Sequence, residues 1–309
     1  MSKTKTTRKN KLAPKGRYAD LTNNFAFQKV FANEKEKSLL VTTLNIFFEK
    51  KLAYPIKDVV IKNPYIQGET KYSRNSVLDI RCEDTGGNKF IVEMQVNSQK
   101  HFIKRSIFYS SMSIASSGKK GEDWDFDFPN VYSLNFLDFE PKFADKRNDV
   151  VRYLSLHDDD YPEIRYDYTG FAFVMLPKFN KSLEECVSLH DKLLFTLRNA
   201  HKLKSRPKQL RGKFFDRLFK LAKFSTFTKM EFSQYTSRMM ARADRKAQLE
   251  YAREEGIEQG ITQGISQGIT QGISQGIIET AKSMLKEGLD FALVARITKL
   301  PKKQVMALR

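Results

Sequence analysis

Between Val77 and Val96 the chain alternates apolar and polar positions in two runs, and that alternation predicts two strands joined by a turn at Gly86 and Gly87. On the first run Leu78, Ile80 and Cys82 share one face, with Val77, Asp79 and Arg81 on the other. On the second, Phe90, Val92, Met94 and Val96 lie opposite Ile91, Glu93 and Gln95. If the apolar faces meet in the core, Asp79 and Glu93 are carried to a common side.

Around this hairpin the spacing changes to that of helices. Phe27, Val30 and Phe31 recur at helical intervals behind an N-cap at Asn23 or Asn24. A second helix is expected from about Glu34 to Lys51, with Leu40, Leu44, Phe47 and Phe48 as its buried stripe and Pro55 barring extension. Ile56 to Ile61 reads as a strand, and the polar loop from Lys62 to Asn75 carries Lys71 and Arg74. After the hairpin, Ile103, Ile107, Phe108, Met112 and Ile114 give a helical pattern that Gly118 and Gly121 end. Val131 to Phe139, Asp149 to His157 and Gly170 to Met175 then read as strands rich in Val, Tyr and Phe. Helices interleaved with strands in this order predict an α/β core with a mixed sheet, over residues 18–180.

Residues 181–254 turn helical and basic. Their cationic positions, among them Lys202, Lys204, Arg206, Lys208 and Arg211, suit either a face laid along DNA or a solvated helical lid. In the second case Leu210, Phe214, Phe215, Leu218, Phe219 and Leu221 pack on the core. Residues 255–277 form a tetrapeptide repeat with Gly256, Gly260, Gly264, Gly268, Gly272 and Gly276 spaced by four. A four-residue step on an α-helix advances about 400°, so a glycine and isoleucine stripe winds right-handedly by about 40° per unit. Each glycine costs roughly 0.8–1.0 kcal/mol against alanine in a helix, about 5–6 kcal/mol in all, so this segment is not expected to be a stable helix alone. Two readings stand: a self-association element made helical by pairing, or a flexible spacer. Residues 278–309 predict three short helices, with Gly288 as a C-cap and Asp290 as an N-cap. A helix-turn-helix reader and a small oligomerisation or capping unit both fit them.

Composition adds a partner. With 309 residues, 40% hydrophobic, the chain can fill a sizeable core, while a net charge of +18 and a pI near 9.7 favour a polyanion. Nucleic acid leads and anionic lipid follows. No window approaches about 18 consecutive apolar residues, so no membrane span is expected, and the basic segment 1–17 lacks the apolar run of a secretory signal. The expected compartment is the cytosol. Segment 1–17 has no acid and reads as a mobile basic tail, either a phosphate-binding arm or a solubilising terminus. Cys82 and Cys186 are too few and isolated for a zinc cage or disulfide framework and read as buried small hydrophobes.

Paired acids in a polyanion-binding chain suggest metal-assisted phosphodiester cleavage. Carboxylates hold one or two Mg²⁺ ions that stabilise phosphoryl charge and supply a nucleophilic water. Asp79 and Glu93 are the candidate ligands, with the carbonyl of Met94 as a backbone donor; Gln95 would orient the water or a phosphate oxygen. Lys71, Arg74, Arg105 and Tyr109 are candidate phosphate contacts, the last two one helical turn apart. On spacing alone the pattern has a bland counterpart, since half-exposed strands often turn acids outward. The histidines show no metal-ligand spacing.

The series Thr22-Asn-Asn-Phe-Ala-Phe-Gln-Lys-Val-Phe31, Leu78-Asp-Ile80, Ile91-Val-Glu-Met-Gln95 and Arg105 with Tyr109 resembles the PD-(D/E)XK nuclease family transposases, also called Rpn-type recombination-promoting nucleases. The resemblance covers about residues 18–140. It implies a restriction-endonuclease-like fold, Mg²⁺-dependent DNA endonuclease activity (Mn²⁺ as a substitute) linked to recombination or transposition, and Asp79, Glu93 and Gln95 as the active-site trio. Gln95 stands where the wider superfamily usually has a lysine, which leaves the general base open. The alternative is a catalytically inactive DNA-binding or assembly protein of the same fold. A homo-oligomer formed through the repeat is expected in either case.

Overall fold

The computed structural model describes residues 16–66, 76–118, 125–141 and 149–308. Lys71 and Arg74 lie outside these residues, as does nearly all of the basic tail. Asn23 caps the first helix, α1 (Asn24–Phe31), its side-chain oxygen accepting the Phe25 and Ala26 N–H groups, and Ala26, Phe27, Val30 and Phe31 form the buried stripe. α2 (Ser38–Phe48) is shorter than its expected span. Residues Glu34–Glu36 make a separate 3-10 turn capped by Asn33, so the α-helix starts only at Ser38 and buries Leu39, Leu40, Leu44, Phe47 and Phe48.

The chain continues through β1 (Val59–Lys62), the small ribbon of β2 (Tyr65–Ile66) with β3 (Ser76–Val77), then β4 (Ile80–Asp84) and β5 (Lys89–Gln95). α3 (Phe102–Ala115) leads to β6 (Val131–Leu137), β7 (Val151–His157) and β8 (Arg165–Met175). Six of these strands make one mixed sheet in the order β1-β4-β5-β6-β8-β7, with β5, β6 and β8 parallel at its centre and antiparallel neighbours on both sides. Central parallel strands are covered on both faces. Every residue of β6 is accordingly buried, Ser133 and Asn135 included.

One face of the sheet, through Phe90, Val92, Met94, Leu134, Phe136 and Val174, packs against α1, α2, α4 (Leu189–Asn199) and α5 (Lys213–Ala222). Leu210, Phe215, Leu218 and Phe219 are buried in this cluster, while Phe214 and Leu221 pack against it half-buried. The lid reading is therefore right for this apolar set. The other face receives α3. The expected stripe holds in part: Ile103, Met112 and Ile114 pack half-buried against the sheet, but Ile107 and Phe108 are 48% and 43% exposed, and Phe102, Ser106, Ser110 and Ser113 take the fully buried positions. The sheet beneath supplies the reason, because Ser133, Asn135, Glu93 and Gln95 line it. Ser106 Oγ lies 3.4 Å from Asn135 Oδ1 and bonds the Phe102 carbonyl. Ser106 meets that surface through its hydroxyl, while Ser110 and Ser113 fit it by their small size, their hydroxyl oxygens buried without a hydrogen-bond partner among the described residues.

A second departure bears on the site. The expected strand from Val77 to Cys82 is broken: Val77 pairs with Tyr65 in the small ribbon, and ladder pairing of β4 with β5 begins at Ile80 opposite Val92. Leu78 packs with Ile91 and Val131 on the α3 side rather than with Ile80 and Cys82. Asp79 sits in the break.

By internal contacts the chain divides into two units, Met1–Met240 and Ala241–Arg309, with the division inside α6 (Lys229–Lys286). α6 runs unbroken through the repeat. Ile257, Ile261, Ile265, Ile269 and Ile273 are 52% to 60% exposed, and a Cβ at any of the six repeat glycines would meet nothing within 4 Å. In the second unit α7 (Phe291–Thr298) and α8 (Lys302–Met306) fold back so that Ala281, Val294, Ala295 and Val305 are buried together. Gly288 at φ 85° turns the chain out of α6, and Asp290 caps α7 by accepting the Ala292 and Leu293 N–H groups, as the sequence pattern predicts.

Candidate active site

Asp79 and Glu93 are brought together by the strand break. With β4 no longer pairing beyond Ile80, the Met94 N–H on β5 is taken by Asp79 Oδ2 at 2.8 Å, and the Asp79 N–H donates to Glu93 Oε1 at 3.1 Å. Buried backbone donors need partners, and here each acid satisfies a donor belonging to the other's strand. Gln95 follows on the same face of β5, its Nε2 donating to Glu93 Oε2 at 2.8 Å. Glu93 and Gln95 are buried and Asp79 half-buried.

Arg105 closes the α3 side. Its guanidinium lies 3.7 Å from Glu93 Oε2 and donates to Gln95 Oε1 at 3.4 Å, to Gln99 Oε1 at 3.0 Å and to Tyr109 Oη at 2.8 Å. The same group stands 5.0 Å from the centre of the Tyr109 ring. Neutral oxygens hold the guanidinium in place, with Glu93 as its nearby anion.

Of the sequence-derived candidates, Asp79, Glu93, Gln95, Arg105 and Tyr109 converge; Met94 contributes its N–H to Asp79. Sequence reasoning missed the contribution of α1. Asn24 Nδ2 donates to Asp79 Oδ1 at 3.0 Å, and Gln28 Nε2 approaches the same oxygen at 3.4 Å. Their i, i+4 spacing beside an apolar stripe was the available signal. Arg238, on the first turns of α6, is also near enough to act on the Asp79 charge.

Burial dominates the electrostatics. It pushes Glu93 up from 4.5 to about 8, helped by the neighbouring Asp79 charge and opposed by Arg105 and the bonds from Asp79 N–H and Gln95. Asp79 is raised for the same first reason, with the Met94 N–H, Arg105, Asn24 and Arg238 acting against it. For a raised carboxylate, the stabilising contribution is complete below the unfolded value of 4.5 and disappears as pH rises through about 8. The metal-free protein should therefore lose melting temperature between about pH 5 and 8, and Glu93→Gln should flatten that slope. Calorimetry in a chelator tests this; an unchanged slope in Glu93→Gln would assign the dependence to other groups.

The donor set suits a hard divalent cation. Two carboxylates with oxygen-bearing neighbours match Mg²⁺ or Mn²⁺, and a cation would reverse the drive toward neutral acids. Among the described residues no group of three or more His, Cys, Asp and Glu surrounds a common point. The remaining positions around an ion would fall to backbone oxygen and water.

A mixed six-stranded sheet flanked by helices, with two acids meeting at a strand break, defines a nuclease-like α/β protein. The chain belongs to the PD-(D/E)XK nuclease family transposases, whose family model matches residues 21–252, well over half of the 309. Neither a curated protein nor a solved structure matches it. The matched span runs from the residue before Thr22 into α6 and stops ahead of the repeat. The fold is the one the resemblance implied.

Proposed function

We propose that the protein is a metal-dependent DNA endonuclease that hydrolyses phosphodiester bonds during recombination or transposition in the cytosol. The observation that carries this reading is the convergence of Asp79 and Glu93, each bonded to the other's strand, with Arg105 beside them. Asp79, Glu93 and the Met94 carbonyl would hold Mg²⁺ or Mn²⁺, which supplies Lewis-acid charge and an activated water. Arg105 offers its guanidinium to a phosphate oxygen, kept in plane by Tyr109, Gln95 and Gln99. Gln95 fixes the Glu93 carboxylate through Nε2 and can orient water. It cannot exchange a proton near neutral pH, so the proton leaves to solvent. Nicking of a supercoiled plasmid with Mg²⁺ or Mn²⁺, and its suppression by a chelator, tests the reading.

Gln95 also favours a second reading, in which the site no longer cleaves and the protein binds DNA and assembles. That reading predicts retained DNA binding with no product under any divalent metal. Among the described residues no helix is long and apolar enough to cross a membrane.

The proposed assembly partner is a second copy, met through the repeat. An isoleucine row more than half exposed, beside glycines open to close approach, gives α6 an apolar stripe that a like helix can cover. Deleting four-residue units from residues 255–277 should weaken self-association stepwise in sedimentation. Association that does not change with unit number would remove the second copy from the repeat.

A further inference from the structure

We infer that Asn24 and Gln28 are positioning residues for a divalent ion at Asp79, an inference that rests on the metal-site reading above. Both oxygens of Asp79 are occupied in a fixed pattern. Oδ1 receives Asn24 Nδ2 at 3.0 Å and Gln28 Nε2 at 3.4 Å, and Oδ2 receives the Met94 N–H at 2.8 Å. Donors from two elements thus set the plane of one carboxylate, α1 on one side and β5 on the other. A carboxylate lying in a strand break has no ladder to orient it, so these bonds replace that constraint.

The chemistry of the α1 donors matters as much as their number. An amide orients a carboxylate without neutralising it, whereas a lysine in the same place would compete with the cation for its charge. Asn24 and Gln28 therefore leave Asp79 anionic character for the ion while restricting its rotamer. Metal-ligating carboxylates held by outer hydrogen bonds lose affinity when those bonds are removed.

α1 is itself anchored at both ends, which lets it serve as a reference for the side chain. Lys29 pairs with Glu231 at the start of α6, the Asp20 N–H donates to Tyr235 Oη at 3.1 Å, and Asn23 Nδ2 lies 3.5 Å from the Tyr235 carbonyl. Phe27 and Phe31 are buried beneath. The amides thus project from a rigid helix, the kind of element that holds a site to tight geometry.

The test is Mn²⁺ binding by the full chain, read from the electron paramagnetic resonance signal of the free ion. Asn24→Ala and Gln28→Met should each weaken binding, Asn24→Ala by about tenfold or more and Gln28→Met by less, its bond being longer. Melting of the metal-free protein should fall by less than the loss of Mn²⁺ binding would require, and DNA binding in a chelator should stay at its wild-type value. Mn²⁺ affinity within twofold of wild type in both variants overturns the inference. So does a loss matched by an equal fall in metal-free melting, which would mark the pair as structural. Where Asn24→Ala does not fold, Gln28→Met decides alone. A wild-type chain that binds no Mn²⁺ overturns the metal-site reading itself, and that outcome is distinct from wild-type binding that the α1 variants leave intact.

Discussion

Asp79→Ala and Glu93→Ala should each reduce metal-dependent plasmid nicking by on the order of 10³-fold or more, with the double variant little worse than either. The size follows from what the carboxylates do together. Phosphodiester hydrolysis places negative charge on phosphoryl oxygens, and in the proposed mechanism the cation that would offset it is held by both acids together. Removing either acid ends the same function, so the losses do not add. Asp79→Ala also frees the Met94 N–H and the amides of Asn24 and Gln28, and an unpaired buried donor costs about 1–3 kcal/mol. Asp79→Asn is the cleaner companion, since it keeps the shape and one acceptor oxygen while lowering ligand charge. The measurement is the initial nicking rate with Mg²⁺ and with Mn²⁺, on proteins of matched melting temperature. Equal cleavage by wild type and both alanine variants would mean a contaminating nuclease and would end the assignment.

How far this site could be read in advance depended on which residues obeyed a simple period. β5 did: Phe90, Val92 and Met94 face the main core while Ile91, Glu93 and Gln95 face α3, as alternation requires. Asp79 did not. A strand pattern through Val77 and Cys82 gave the right neighbour for Glu93, but the break that frees Met94 N–H depends on pairing with β5 and the small ribbon, which are not local. α3 was legible as a helix and only partly as a surface, since Ile103, Met112 and Ile114 pack inward as expected while two of their neighbours do not. Hydrophobicity points Ile107 and Phe108 inward, and only the polar residues of β5 and β6 explain why serines take that place. Asn24 and Gln28 were within the motif that marked the family resemblance, yet their task becomes visible only once α1 lies against the strand break.

The repeat shows the opposite imbalance. Helix propensity argues against an isolated helix by about 5–6 kcal/mol, but α6 is continuous from Lys229 to Lys286. Its flanks are ordinary helical sequence, and the repeat keeps one apolar and one small position on each turn. Propagation from formed flanks avoids the nucleation cost, so the penalty applies to extension alone. Burial of the isoleucine row by another chain would supply the rest.

The largest loss of stability should come from Phe136→Ala. Phe136 is fully buried at the middle of the sheet, its ring 5.7 Å from that of Phe27 on α1 and 5.5 Å from that of Phe47 on α2, both edge-on. A buried phenylalanine reduced to alanine costs about 3–5 kcal/mol, a large part of the roughly 5–15 kcal/mol that holds a typical domain folded. Here the cavity would open between β6 and the two helices at once, and neither helix can close it alone without leaving the other. Urea unfolding followed by far-ultraviolet circular dichroism measures the effect. Phe136→Leu, which keeps most of the volume, should lose much less stability and still shift Phe27, and with it the helix that carries Asn24 and Gln28. A loss below about 1 kcal/mol in Phe136→Ala would show that α1 and α2 are not held to the sheet through this ring. The position of the amides over Asp79 would then rest on the Lys29–Glu231 pair and the Asp20 N–H bond to Tyr235 Oη.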